Sequence, residues 1–304
     1  MKNKKIIILL LTIMLLTSGC TKRYVDKETK KSYVSNILCK PAAKETIDAY
    51  TKNAQEMNLD ISTLSDCKSL KINANGYEGL WTSFFVKPLA WLIVKIGNKL
   101  NSYGLSIILL GVLLRVILLP TSIKAAKMSE NMNKAQKELN ALEKKYANKT
   151  EKEAMLAKSQ EMMLIYKKYN INPISSCLTS FIQIPLLFAF LEAIYRVPII
   201  FEGKLAWFDL GKTPWESIAI GKYYYIILVV LISLTTYLSF QSLNNQTKDS
   251  PQAKQMNAMK IYMVVFITFV SFSLPTAIAM YWIASSGFSV VQTYITKRLS
   301  NSNK

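Results

Sequence analysis

Arg115 is the residue in this sequence whose position most needs a chemical explanation. It lies within Tyr103 to Thr121, a stretch of 19 residues that is otherwise apolar except for Ser106. An arginine at mid-membrane costs on the order of 2.5–3.5 kcal/mol on insertion scales. Three arrangements could offset that cost: a fixed ion pair, snorkelling toward the nearer surface, or hydration in a water-filled cavity. Glu192 is the only acidic residue within any long apolar stretch. At 1.5 Å per helical residue, Arg115 and Glu192 differ by ~13 Å in depth, a long reach even for these side chains. Hydration in a cavity open to the cytoplasm is therefore the expected arrangement. Gln183, Thr235, Thr236, Ser239, Ser285, Ser286 and Gln292 are available to line it. Singly, each is more often a helix-packing residue, and only their number alongside Arg115 favours a groove.

Composition narrows the chemistry further. The chain contains no His, which removes histidine metal sites, Ser-His and Cys-His nucleophile pairs and a histidine pH switch. No phosphate-binding G-x-x-x-x-G-K-[ST] string occurs, so nothing suggests a nucleotide-driven pump. Hydrophobic residues make up 51% of the chain and charged ones 19%, too apolar and too clustered for an ordinary soluble domain. The net charge of +19 punctuates apolar runs, as in a membrane protein whose loops face anionic lipid. The expectation is a polytopic, non-enzymatic membrane protein with no cofactor and no metal.

These residues have to be positioned by membrane elements, and the first element is a leader. Lys2, Lys4 and Lys5 precede an apolar run of 11 residues, Ile6 to Leu16, too short for a span of ~20. The following Leu16-Thr17-Ser18-Gly19-Cys20 resembles a bacterial lipobox. It implies a signal peptide over residues 1–19 and acylation, with palmitate or a similar chain, at Cys20. Residues 20–79 would then be an extracytoplasmic segment, polar, without a strand pattern and with one helix near Ala42 to Met57. Cys39 and Cys67 fall in it. A disulfide between them and two free thiols are both open readings.

Residues 80–100 read as an interfacial amphipathic helix, with Trp81, Phe84, Phe85, Leu89, Leu92 and Ile96 on one face and Lys87, Lys95 and Lys99 within an arc of ~120°. Five spans follow, over residues 103–121, 174–195, 223–240, 261–275 and 276–295, with Pro275 dividing the last two. Between them lie a cytoplasmic helical hairpin (122–173), an outer loop (196–222), a cytoplasmic loop (241–260) and a cytoplasmic tail (296–304). The inner segments carry 11, 3 and 3 Lys+Arg, whereas the outer loop has four basic and three acidic residues. This bias obeys the positive-inside rule and agrees with a lipid-anchored N-terminus outside and a C-terminus in the cytoplasm.

In the hairpin, Met128, Met132, Ala135, Leu139, Leu142 and Tyr146 form one seam. Met155, Ser159, Met162, Tyr166 and Tyr169 form the other after a break at Asn148. Thr150-x-x-Glu153 matches a capping box. The hairpin's eleven Lys against six Glu could attract RNA, but a solvated positive-inside loop is favoured and no nucleic-acid substrate is expected.

Several stretches, taken in order, resemble the YidC-type membrane protein insertases. These are L-L-R-V-I-L-L-P around Arg115, N-I-N-P-I-S-S-C-L leading into F-I-Q-I-P, A-W-F-D-L-G at 206–211, and P-T-A-I-A-M-Y-W ending at Trp282. With the lipobox and five-span plan, the chain looks like the bacterial lipoprotein branch of that family. The resemblance implies an all-α membrane fold of five helices around a hydrophilic groove bearing Arg115, with Trp282 facing that groove. It implies nascent membrane proteins as substrates, with the Sec translocon, the ribosome and membrane lipids as partners. Thr179 stands where the family often has Pro, and Ser239 where Gln is common. The tail after Arg298 is shorter than the basic tails that help some members hold ribosomes. An anion or small-solute transporter using Arg115 is the rival; transporters usually show internal repeats, and five spans do not halve.

Overall fold

The computed structural model describes residues 21–28, 31–149, 151–172, 185–243 and 251–302. The signal peptide, Cys20, Thr150, Cys177, Gln183 and residues 174–184 of the second expected span lie outside the described residues. Helices of at least eight residues are numbered here in chain order. They are α1 (Lys44–Lys52), α2 (Lys87–Leu100), α3 (Tyr103–Ile117), α4 (Leu119–Tyr146), α5 (Lys152–Lys168), α6 (Pro185–Tyr195), α7 (Ile226–Leu243), α8 (Pro251–Ser271) and α9 (Thr276–Ser302). The chain divides into two compact units. One comprises Met1–Gly111, Ile182–Leu228 and Ser273–Tyr281; the other comprises Val112–Phe181, Val229–Phe272 and Trp282–Lys304.

Within the first unit, the N-terminal segment departs from expectation. It has a core of Ile37, Tyr50, Met57 and Ile61, covered by Tyr24, Tyr33, Ile47 and Leu64. Strands β1 (Arg23–Val25) and β2 (Ser32–Val34) pair antiparallel, Tyr24 opposite Tyr33. Three-residue strands are too short to produce a visible alternation, and a core of a few scattered apolar side chains and tyrosines is hidden in a polar composition. The two sulfurs of Cys39 and Cys67 are bonded, linking positions 28 residues apart. The expected helix is present as α1 and the short Ala54–Met57 turn.

The amphipathic segment is also organised differently from its sequence reading. Gly79–Trp81 is α-helical, Thr82–Val86 forms a π turn, and α2 follows. The wider turn rotates the register, so the expected apolar face divides. Val86, Leu89, Ala90, Ile93 and Val94 are buried, while Leu80, Phe84 and Phe85 face outward. Lys87 is buried against Glu78 instead of joining Lys95 and Lys99 on the polar face. By length and hydropathy Gly79–Leu100 and Tyr223–Gln241 meet the requirement for a membrane span; Tyr103–Ile117, Pro185–Tyr195 and Asn257–Ser271 are shorter apolar helices.

Between α6 and α7, the chain forms the short helix Pro198–Glu202, a hairpin of β3 (Lys204–Leu205) with β4 (Phe208–Asp209), and a helix turn Pro214–Ala219 closed by a Thr213/Glu216 capping box. Gly211 is required here, because a Cβ would sit 2.5 Å from the Phe201 carbonyl oxygen. The start of α9 rests on this loop: the Thr276 and Ala277 N–H groups donate to the Lys212 and Leu210 carbonyls, each at 2.9 Å. Those bonds satisfy donors that a helix N-terminus leaves open.

In the second unit α4 and α5 lie side by side and antiparallel. Lys145 pairs with Glu161 at 2.6 Å, and Lys168 pairs with Glu138 further along. Ala135, Leu139 and Ile171 form their core, with Met128, Met132, Met162, Ile165, Tyr166 and Tyr169 packed around it. Most of the expected seam is present, but Met155 and Ser159 are exposed, and Ile165, not expected, packs with Met162, Tyr166 and Tyr169. The α5 N-cap is Glu151, so Glu153 occupies the second helical position and the capping box anticipated from Thr150 does not fit. Three helices outrun their expected ends: α7 continues to Leu243 and α8 begins at Pro251, both within the expected 241–260 loop, and α9 continues to Ser302.

Candidate functional site

Ser102 starts α3, its hydroxyl accepting the Leu105 N–H. Gly104, Ile107, Leu110 and Gly111 are buried, while Leu105, Leu109, Leu113 and Val116 are exposed. Counting down the buried stripe from Gly104 through Ile107 and Gly111 in steps of three and four reaches Arg115, so this helix carries its arginine toward other helices and turns Leu105, Leu109 and Leu113 outward. Gly111 permits a close approach to α9, since a Cβ there would sit 3.0 Å from the Tyr281 ring. One turn further on in both helices, Arg115 Nε donates to Ser285 Oγ at 2.8 Å. Arg115 is half-buried, neither fully exposed nor sealed away from solvent.

A second polar contact joins α9 to α7: Trp282 Nε1 donates to Thr236 Oγ1 at 3.0 Å. A third, 3.4 Å long, runs from Ser239 Oγ to Ser289 Oγ. The pairs 236 with 282 and 239 with 289 advance together, so α7 and α9 run in the same direction. Trp282, Ser285, Ser289 and Gln292 step by three, four and three along one face of α9. Ser285 and Thr236 are buried and each is hydrogen-bonded, as buried hydroxyls must be. Gln292 is buried too, and its Oε1 has no hydrogen-bond partner among the described residues.

The structure thus brings Arg115, Thr236, Trp282 and Ser285 into bonded pairs, and Ser239 and Gln292 onto neighbouring turns. Thr235 is different: its hydroxyl bonds the Leu231 and Ile232 carbonyls of its own helix, the usual intrahelical alternative. Gln183 lies outside the described residues. Ser289 was not anticipated, although its i, i+4 relation to Ser285 could have indicated it.

A separate polar cluster, also not anticipated, occupies the first unit. Arg196, 1% exposed, pairs with Glu78 and with Glu192. Its Nε donates to the Asn36 carbonyl at 2.6 Å, and its own carbonyl accepts the Leu38 N–H. Trp81 Nε1 donates to Glu192 at 2.9 Å. Burial pushes the Glu78 carboxyl up, but hydrogen bonds from Lys87 and Arg196 outweigh it and hold the group below its ordinary value. Glu192 therefore has a partner four residues along its own chain. That spacing is a recognised ion-pair signal on a helix.

A family model described as the 60Kd inner membrane protein matches residues 95–304, more than half of the chain. The chain belongs to this family. Among its relatives is the membrane protein insertase YidC of Alkalihalophilus pseudofirmus, 36% identical over 222 residues, 72% of this chain and 82% of that protein. The membrane protein insertase MisCA of Bacillus subtilis is 32% identical over 238 residues, 77% of this chain and 86% of that one. The fold is similar to a crystal structure of an active YidC insertase with its first transmembrane domain resolved. There the TM-score is 0.53 at 21% identity, covering 83% of this chain and 53% of that chain, so this chain spans about half of it. Members of the 60Kd family are inner membrane proteins by description, and the membrane is where this chain works. The 60Kd match begins within α2, so residues 21–94 are not part of it.

Proposed function

We propose that this protein inserts nascent integral membrane proteins and assists their folding, using a hydrophilic groove around Arg115 that opens to the cytoplasm and to lipid. The observation that carries this reading is the half-buried guanidinium hydrogen-bonded to Ser285 inside an apolar helix, beside the Thr236–Trp282 pair. The relatives named as insertases support the same activity. Five spans, at 103–121, 174–195, 223–240, 261–275 and 276–295, surround the groove. Residues 80–100 lie in the interface, and the α4–α5 pair projects into the cytoplasm. Cys20 is the outer lipid anchor.

The physical task is to carry a short polar segment across ~30 Å of hydrocarbon. Helix α3 has 15 residues and so spans about 22 Å. A short span favours local thinning of the bilayer, and a hydrated groove shortens the apolar path further. Arg115 offers a transient site to a substrate carboxylate or to backbone carbonyls. The substrate's own large aliphatic residues contribute about 0.3–0.6 kcal/mol each on entering lipid, which over a full span exceeds the transfer cost without ATP. Nascent chains are the substrates, with the Sec translocon and the ribosome as partners.

The test is insertion of single-span substrates by Arg115→Lys and Arg115→Ala proteins. Lys retains most activity and Ala loses most, the loss being larger for acidic than for neutral leading segments. Unimpaired insertion by the Ala protein with both substrate types would refute a charge role.

A further inference from the structure

The outer loop carries a feature that insertion does not use. Asp209 is ringed by three lysines: Lys204 and Lys222 at 3.3 Å and Lys212 at 4.0 Å. One carboxylate neutralises one of three ammonium groups, leaving a local excess of positive charge. Lys204 stays 73% exposed and Lys212 44%, so both can bind a further anion. Burial pushes the Asp209 carboxyl up, but hydrogen bonds and charge from Lys222 and Lys204 outweigh it and hold the group below its ordinary range.

Beside this cluster the loop exposes large apolar side chains. Trp207 is 79% exposed, Trp215 70%, Tyr223 66% and Ile220 60%. The Tyr224 hydroxyl donates to the Trp207 carbonyl, and Phe208 packs on Tyr224 and Tyr225. Trp207 is thereby held at the level where α7 begins. Below that level Ile226, Ile227, Val230, Leu231 and Leu234 are exposed along the helix, an apolar face suited to acyl chains. Trp and Tyr directly above such a face, with lysines adjacent, match the chemistry of a headgroup layer.

We propose that this loop is a phospholipid anchor: Trp207, Trp215, Ile220 and Tyr223 sit in the outer headgroup layer, and the lysines around Asp209 bind anionic lipid phosphates. The proposal rests on the loop lying at the outer surface of a membrane-embedded protein. The occupant is lipid because the exposed aromatic rim continues the apolar face of α7 and the excess charge complements an anionic headgroup.

The full chain is reconstituted in nanodiscs containing brominated phosphatidylglycerol or brominated phosphatidylcholine, and tryptophan quenching is compared with that of Trp207→Phe/Trp215→Phe protein. The two exposed tryptophans should account for most of the shallow-bromine quenching and little of the acrylamide quenching. The opposite division, with both residues quenched from water, overturns the anchor. Replacing Lys204, Lys212 and Lys222 by Gln should lower the preference for phosphatidylglycerol over phosphatidylcholine, by about fivefold per lysine removed. The exposed single variant Lys204→Gln, which leaves Asp209 paired, should show the same direction. An unchanged preference in both variants overturns the charge part. Insertion by the same nanodiscs, with Arg115 intact and replaced, reports separately on the groove, so failure of the anchor is distinguishable from failure of the insertase reading.

Discussion

A guanidinium in an apolar environment needs neighbours that accept hydrogen bonds, and this chain has two arginines that meet the need in different ways. Arg115 remains half-buried, and its Nε donates to the neutral hydroxyl of Ser285. Arg196 is almost fully buried and committed to Glu78, Glu192 and the Asn36 carbonyl, an arrangement suited to holding the fold. Removing one partner of a buried ion pair costs about 3–5 kcal/mol because the other charge is left uncompensated. Arg196→Met should therefore lower the apparent unfolding temperature clearly, by dye-based thermal shift in detergent. Arg196→Met/Glu192→Gln should recover part of that loss. A double variant as unstable as the single would show that the Asn36 bond outweighs the stranded charge. Arg115→Met should impair insertion of single-span substrates.

The elements show where sequence reading succeeds and where it stops. The four- and three-residue steps of Met128 through Tyr146 anticipate α4, because a helix packed on one partner must repeat its apolar face at that period. The π turn at Thr82–Val86 is not legible, since no residue type marks the extra residue that turns Phe84 and Phe85 outward. The Arg115–Ser285 contact was legible only as a list of candidate polar residues; its register depends on the Gly111–Tyr281 approach, which is a tertiary fact. The α4–α5 pair also makes a pH prediction. A hydrogen bond from Lys168, then one from Tyr169, holds the Glu138 carboxyl below its ordinary value, and Lys145 and Tyr146 do the same for Glu161. Carboxylates depressed in the folded state contribute stability above their unfolded value of about 4.3, lost as pH falls through the folded value. The protection factors of the α5 amides, which divide out the intrinsic pH dependence of exchange, should therefore be high at neutral pH and fall once the pH drops below that range. Glu138→Gln/Glu161→Gln should abolish the pH step. The disulfide of Cys39 and Cys67 makes a third. Closing a loop of 28 residues adds ~3.6 kcal/mol on the chain-entropy account. Limited proteolysis should then cut residues 21–75 much faster after reduction, or in Cys39→Ser/Cys67→Ser protein, with α4 and α5 unaffected.

For the whole molecule, the orientation proposed above rests on charge distribution. The segment 122–173 carries eleven lysines and no arginine, and even with six glutamates it is the most basic connection in the chain. Translocating that segment would move its charge against both the membrane potential and the anionic inner leaflet, whereas the 196–222 loop is nearly balanced, with four basic and three acidic residues. The hydrogen-bonded pairs Thr236–Trp282 and Ser239–Ser289 make α7 and α9 run in the same direction. A cysteine introduced at Lys204 should accordingly react with an impermeant maleimide in intact cells when Cys177 is replaced by Ser. A cysteine at Ser159, exposed on α5, should react only after permeabilisation. Labelling of Ser159→Cys in intact cells would invert the topology and put Arg115 near the outer surface, where a groove fed from the cytoplasm has no physical basis. Labelling of both sites would indicate mixed orientation, which a charge excess of this size opposes; replacing several hairpin lysines by Gln should be what produces it.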